Sequence, residues 1–411
     1  MLPMVSDRAS ERAYDLVLFG ATGFTGGLTA EYLAGHAPEG CRWAVAGRNR
    51  AKLEALRDRL GLPELPVLVA DSADADALAE VARSARVVVT TVGPYQRHGE
   101  PLVRACAEAG TDYVDLTGEP EFVDTMYTRY HARAVASGAR MLHACGFDSV
   151  PHDLGVLFTV DELARAAGRE ELDGPVAVEG YVRVSGTFSG GTFASTLTAF
   201  SRPVQMGQAA KARRAVEERT VGRRQRGAAV GPRWSKDAHA WAVPMPAIDQ
   251  QIVLRSAAAL PVYGPDFRYG HYAAVKRLPI ALAGIAGVVG VALGAQIPPL
   301  RRKLEQLRPS GAGPDAAQRA RSWFTVRFSG AADGRHIWTE VSGGDPGYGE
   351  TAKMLAETAL CLAYDDLPKT AGQQTTASAC GAALIGRLRA AGIAFRVLES
   401  RPTAAPGRFR G

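Results

Sequence analysis

A chain of 411 residues is too long for one small core and reads as two domains. Hydrophobic residues at 46% and charged residues at 22% exclude a disordered or fibrous chain, and 45 glycines point to many tight turns. The net charge of +6 is spread out, and the one basic run, residues 211–226, also holds Glu217 and Glu218, so nucleic acid is not an expected partner.

Residues 1–13 carry no apolar run, so no secretory signal is expected; they read as a flexible tail of a cytoplasmic protein. From residue 14 to 150, short apolar runs alternate with Ala/Glu/Leu/Arg segments of helical length. Strand and helix at this spacing predict βαβ units in a doubly wound parallel sheet, whose strands are apolar throughout because both faces are covered. The first run enters Gly20-Ala-Thr-Gly23-Phe-Thr-Gly26 and then a helix. Gly20 permits the tight turn, Gly23 lets backbone N–H groups approach a pyrophosphate, and Gly26 lets the helix pack closely. Thr22, Phe24 and Thr25 complete this candidate phosphate loop.

The second run ends in Ala46-Gly47-Arg48-Asn49-Arg50, with no acid to accept from ribose hydroxyls. Arg48, with Asn49 beside it, suits a 2′-phosphate, so NADP is the expected cofactor. Asp71, after the third run, either caps a helix or accepts from the adenine amino group. Val92-Gly93-Pro94-Tyr95 leaves the fourth run, and Thr117-Gly118-Glu119 leaves the fifth.

After residue 150 the rhythm changes to a helix and longer strands, predicting a second, α+β domain over 151–400 and an unstructured tail over 401–411. Residues 205–235 read as a helix and an exposed loop. Residues 185–192 and 343–349 are glycine-rich corners that either bind an oxygen anion or simply turn the chain. Residues 278–300 carry no charge and are flanked by Lys276, Arg277, Arg301, Arg302 and Lys303. They form a buried helix, a surface-bound helix or a span; the favoured reading is a helix that docks on a greasy substrate or on the membrane, the latter peripherally on the inner face of the plasma membrane. Tyr272 and Lys276 match the Tyr-x-x-x-Lys spacing of short-chain dehydrogenases, but so late in the chain that the match reads as coincidence. Five scattered cysteines without a C-x-x-C pair give no disulfide or zinc framework, and no metal is expected.

Gly20–Gly26, Ala46-Gly47-Arg48, Val92–Tyr95, Tyr113-Val-Asp-Leu-Thr-Gly-Glu119 and Cys145-Gly-Phe-Asp-Ser-Val-Pro151 occur in this order. Together they resemble the saccharopine dehydrogenase-like oxidoreductases. With Tyr263–Gly270 and Gly343–Tyr348, the chain is most similar to the actinobacterial trans-acting enoyl reductases. The resemblance implies a Rossmann-type domain binding NADP and an enoyl reductase acting on a lipid or polyketide-derived chain. It places Val92, Gly93 and Pro94 along the cofactor and Tyr95 near the substrate. Tyr95, Asp115, Thr117, Glu119, His143, Asp148 and His152 are the candidate proton donors, with Tyr95 and Glu119 taken as catalytic. His143 lies in an apolar strand, where a core role is commoner. Two other readings stay open: a saccharopine-type imine reductase or amino-acid dehydrogenase, and a silent NADP-binding scaffold at membranes. A homodimer is among the assemblies these readings allow.

Overall fold

The computed structural model describes residues 12–186, 197–198, 200, 201–218, 220–228, 231–245, 248–297, 299–300 and 313–408. Strands β1 (Tyr14–Phe19), β2 (Trp43–Gly47), β3 (Val67–Val69), β4 (Ala85–Thr90), β5 (Asp112–Asp115) and β6 (Arg140–Leu142) form a parallel sheet. Apart from the short β3 at the edge, these strands bury nearly every residue, as expected for a sheet with helices on both faces. The strand order is β3-β2-β1-β4-β5-β6, with Leu16 of β1 paired to Trp43 on one side and Val87 on the other. Chain direction across the sheet reverses between β1 and β4, and a crevice opens there at the carboxyl ends of the strands.

The second sheet draws on β7 (Pro175–Ser185), β8 (Arg224–Gly227), β9 (Arg233–Ser235), β10 (Ala240–Pro244), β11 (Asp266–Val275), β12 (Trp323–Ala332) and β13 (Arg335–Gly343). It is mixed: β7 pairs parallel with β11 and antiparallel with β12. Asp333 (φ +50°) and Gly334 (φ +72°) make the two-residue turn between β12 and β13, the left-handed pair that a tight hairpin needs. The helix Val150–Ala166 packs on β12 and β13; a Cβ at Gly155 would lie 2.4 Å from Phe328, so only glycine admits this approach. One buried cluster runs from Leu16 through Leu154 and Val156 to Phe328 and Phe395, joining both sheets.

Three sequence expectations differ from what is observed. A cut at residue 150 does not divide the chain, because helix Gly349–Tyr364 returns to pack on β1, β4 and β5. The strand β14 (Gly372–Gln374) then pairs with β6 as the seventh strand of the first sheet, before β15 (Ala394–Leu398) rejoins the second. Residues 401–408 are not a loose tail: Arg183, Thr325 and Arg327 donate to the carbonyls of Pro406 (2.7 Å), Gly407 (2.6 Å) and Ala404 (2.6 Å). Within 205–235, helix Pro203–Val216 is followed by the strands β8 and β9 rather than by loop alone. Of the N-terminal tail, residues 1–11 lie outside the described residues, and Arg12 donates to the carbonyls of Ala82 and Ala109.

Candidate functional site: a cleft between the glycine loop and the second sheet

The apolar strand β1 ends at Gly20, whose φ of +88° turns the chain under helix Phe24–His36. The Gly23 amide donates to the Gly20 carbonyl at 3.0 Å, and a Cβ on Gly26 would lie 2.2 Å from that same oxygen. The Thr91 hydroxyl donates to it at 3.1 Å, tying the loop after β4 to the glycine loop. No side chain caps the helix at Gly23, so its first amides remain available to an anion, as a pyrophosphate site requires. Gly20, Thr22, Gly23, Phe24, Thr25 and Gly26 all line a cleft of ≈ 2040 Å³.

Arg48 is exposed on the same cleft, with no ion pair or hydrogen bond among the described residues. Val92, Gly93 and Pro94 line it as well. Asn49 and Asp71 do not. The Asn49 side chain accepts from the Lys52 amide at 3.0 Å and so caps helix Arg50–Leu60, while Asp71 accepts from the Ala73 amide at 2.9 Å. Short polar side chains next to a helix start bond locally before they reach for a ligand. Ala70 and Ser72 line the cleft instead.

The two expected catalytic residues serve the backbone. Both oxygens of buried Glu119 accept from amides, Tyr95 at 3.1 Å and Gln96 at 2.9 Å, holding the short helix Tyr95–His98. Tyr95 touches the cleft, but its hydroxyl donates to the Thr90 carbonyl and accepts from the Leu116 amide, both at 3.1 Å. Burial and the neighbouring Asp115 push its phenol well above the ordinary value. Asp115 is a buried hub that accepts from the Tyr113 hydroxyl and the Thr117 and Ala144 amides, with His143 Nδ1 at 2.6 Å. The Thr117 hydroxyl oxygen accepts from the Glu119 amide. These five side chains brace the strand ends, and of them Tyr95 also lines the cleft.

Asp148 and His152 do reach the cleft, where they meet Asp249 and His271, which sequence reasoning missed. His152 comes from helix Val150–Ala166, Asp249 from the first turn of helix Ile248–Ala259 and His271 from β11. His152 Nδ1 lies 3.3 Å from Asp249 Oδ1, and His271 Nε2 lies 3.2 Å from Oδ2. Burial pushes His271 down to about 4, and Asp148 is pushed up to about 6 by burial and by repulsion from Asp249. Burial alone would raise Asp249, but the two imidazoles hold it below the ordinary carboxylate range. No spacing in the sequence joins these residues.

The remaining walls are mostly apolar. Val182, Val243 and Val275 come from the second sheet, and Ile280, Ile285 and Val288 from one face of helix Leu278–Ala295. Arg213 and Arg255 lie on the cleft but are paired, with Asp124 at 2.6 Å and Glu217 at 3.2 Å. Of the glycine-rich corners, Pro346, Gly347 and Tyr348 line the cleft, with Tyr348 edge-on to Phe24 at 4.7 Å. Its amides are partly used already, since Gly344 donates to Glu350 and Gly349 to Asp345. Of the other corner, Gly186 lines the cleft and residues 187–192 lie outside the described residues. Tyr272 is buried away from the cleft and donates to the Ala228 carbonyl, so its spacing to Lys276 is coincidental.

Residues 16–142 match the family described as the saccharopine dehydrogenase NADP binding domain. A trans-acting enoyl reductase of Mycobacterium ulcerans is 37% identical over 427 residues, covering 94% of this chain and 98% of that protein. One of Mycobacterium tuberculosis is 36% identical over 419 residues, covering 93% and 97%. In fold, the chain is similar to apo saccharopine dehydrogenase (L-Glu forming) from Saccharomyces cerevisiae, with a TM-score of 0.52 at 13% identity over 93% of this chain and 99% of that one. Glycine loop, the first amides of its helix and exposed Arg48 thus meet in one cleft, and this NADP-dependent oxidoreductase belongs to the trans-acting enoyl reductase family within the saccharopine dehydrogenase-like proteins.

Proposed function

We propose that the protein uses NADPH to reduce a carbon–carbon double bond conjugated to a carbonyl in a long apolar acyl or polyketide-derived chain. The observation that carries this is the single cleft running from the glycine loop to the apolar face of helix Leu278–Ala295. NADPH supplies hydride when bound. The chain's own residues hold its phosphates at Gly20–Gly26 and Arg48, and seat the acyl chain along Val182, Val243, Ile280 and Ile285. The Asp148 carboxyl, on the same cleft, is the group able to carry the proton to the second carbon. Against a saccharopine-like substrate with several carboxylates stand the mostly apolar walls and the pairing of Arg213 and Arg255 with Asp124 and Glu217, although Arg214 and Arg224 also line the cleft. The test is NADPH oxidation with α,β-unsaturated acyl thioesters of increasing length, set against a 2-oxo acid plus an amine. Saturated thioester formed mole for mole with NADPH consumed supports the reading; turnover of the oxo acid and amine alone overturns it.

The other face of helix Leu278–Ala295 supports peripheral membrane contact. The helix is long and apolar enough to cross a membrane by length and composition, yet its cleft face packs against β10 and β11, which favours docking over spanning. Leu282 and Leu293 are 55% and 64% exposed, and the exposed cations Lys276 and Arg277 precede the helix. Apolar surface beside basic residues fits an anionic lipid headgroup layer. The basic residues 301–303 lie outside the described residues.

A further inference from the structure

We propose that His152, Asp249 and His271 form a site for one divalent transition-metal ion of the zinc class, facing the cleft. This goes beyond the absence of metal expected from the sequence. Three separate elements bring these side chains together, all buried, with one ligand atom from each within 4.8 Å of the others. The cluster does not close as a hydrogen-bonded group. His152 Nδ1, His152 Nε2, His271 Nε2 and Asp249 Oδ1 have no hydrogen-bond partner among the described residues. Buried polar atoms are nearly always paired, so atoms without a hydrogen bond on all three side chains call for a missing partner. The N···O spacings of 3.2 and 3.3 Å exceed the ~2.7–2.9 Å of a charge-assisted hydrogen bond. Each ends on a different oxygen of Asp249, and each is near the ~3.3 Å that separates neighbouring ligands of a tetrahedral ion with bonds of ~2.0–2.1 Å.

The donor set selects the ion. Two imidazoles and one carboxylate suit zinc or cobalt, whereas calcium and magnesium prefer all-oxygen shells. The surroundings also resemble a metal site, because Tyr269 Oη lies 3.1 Å from His271 Nδ1 and can fix the tautomer that leaves Nε2 as donor. Among the described residues no fourth side chain joins the group, and all three line the cleft, so a coordination position faces the substrate space. Three protein ligands with one open position is the arrangement of catalytic rather than structural zinc. Resting on the reading under Proposed function, the substrate carbonyl would take that position. Hydride from NADPH would then form a C–H bond at the β-carbon, the double-bond electron pair would move toward the polarised carbonyl, the α-carbon would take the proton of the Asp148 carboxyl, which water restores, and NADP⁺ would leave.

The experiment titrates Co²⁺ into the chelator-stripped full chain without any substrate, so its outcome does not depend on the reaction proposed above. Visible ligand-field bands saturating at one Co²⁺ per chain, and displaced by Zn²⁺, are expected. His152→Gln, Asp249→Asn and His271→Gln should each weaken binding by more than about 100-fold, and Tyr269→Phe by roughly 10–100-fold. NADPH affinity, set mainly by the phosphate contacts at Gly20–Gly26 and Arg48 on other elements, should change by less than about tenfold in each and certifies that the variant is folded. A wild-type chain that shows no bands at millimolar Co²⁺ overturns the proposal without recourse to any variant. Bands that survive in folded His152→Gln and His271→Gln overturn it equally, since the ion would then sit elsewhere.

Discussion

Replacing Arg48 with Ala separates cofactor recognition from folding. The guanidinium is exposed at the carboxyl end of β2, lines the cleft, and has no ion pair or hydrogen bond among the described residues. Truncation therefore leaves no buried group unpaired, and stability should change by less than about 0.5 kcal/mol. The whole loss should fall on binding. A charge-assisted contact to the 2′-phosphate is worth about 1.5–3 kcal/mol, which is roughly 10–150-fold in NADPH affinity. NADH, which lacks that phosphate, should bind Arg48→Ala as it binds the parent. Calorimetric titration of both nucleotides against both proteins, with thermal melts alongside, measures all of these. If NADH binds the parent as tightly as NADPH does, or if Arg48→Ala weakens both equally, the assignment of Arg48 is wrong.

Further perturbations follow from the same geometry. Gly26→Ala puts a methyl group 2.2 Å from the Gly20 carbonyl oxygen, so the loop must shift; a stability loss of about 1–3 kcal/mol with sharply weaker NADPH binding is expected in melts and titrations. Ile285→Trp should raise KM for long-chain enoyl thioesters by about tenfold or more while leaving short ones unaffected, and equal effects on both would place the acyl chain elsewhere. Leu282→Asp with Leu293→Asp should abolish sedimentation with anionic vesicles at a stability change below about 1 kcal/mol, because both side chains are exposed; a misfolded product would mean a buried helix. Asp15 accepts from the Arg42 backbone and guanidinium and from Tyr364, which outweigh burial and hold it below the ordinary carboxylate value. Its folded pKa lies below the unfolded one, so its stabilisation is complete well above about pH 4 and is lost as pH falls through the folded value. Asp15→Asn should flatten that part of the acid-denaturation profile.

Much of the first sheet was legible because its signals are local. Strands covered on both faces must be apolar throughout, and helices must separate them, so the βαβ rhythm survives in one dimension. The glycine loop was legible for the same reason: Gly20 and Gly26 answer to constraints within the loop itself, as the φ of +88° at Gly20 and the 2.2 Å from a Gly26 Cβ to the Gly20 carbonyl oxygen show. Arg48 stood out through the absence of an acid at one strand end, and the structure leaves it exposed on the cleft. What a polar side chain bonds to is a different matter, because several partners compete for it and only the assembled chain selects one. Glu119 bonds the first two amides of the short helix Tyr95–His98, Asn49 and Asp71 bond their own next turn, and none of these choices is visible in residue type. Likewise β14 could not be assigned to the first sheet, since three residues far along the chain pair with β6 only after helix Gly349–Tyr364 has crossed back. His152, Asp249 and His271 show the limit most plainly. Each stands alone in its own segment, and long-range packing of a helix, a helix start and a strand converts three isolated residues into one buried cluster.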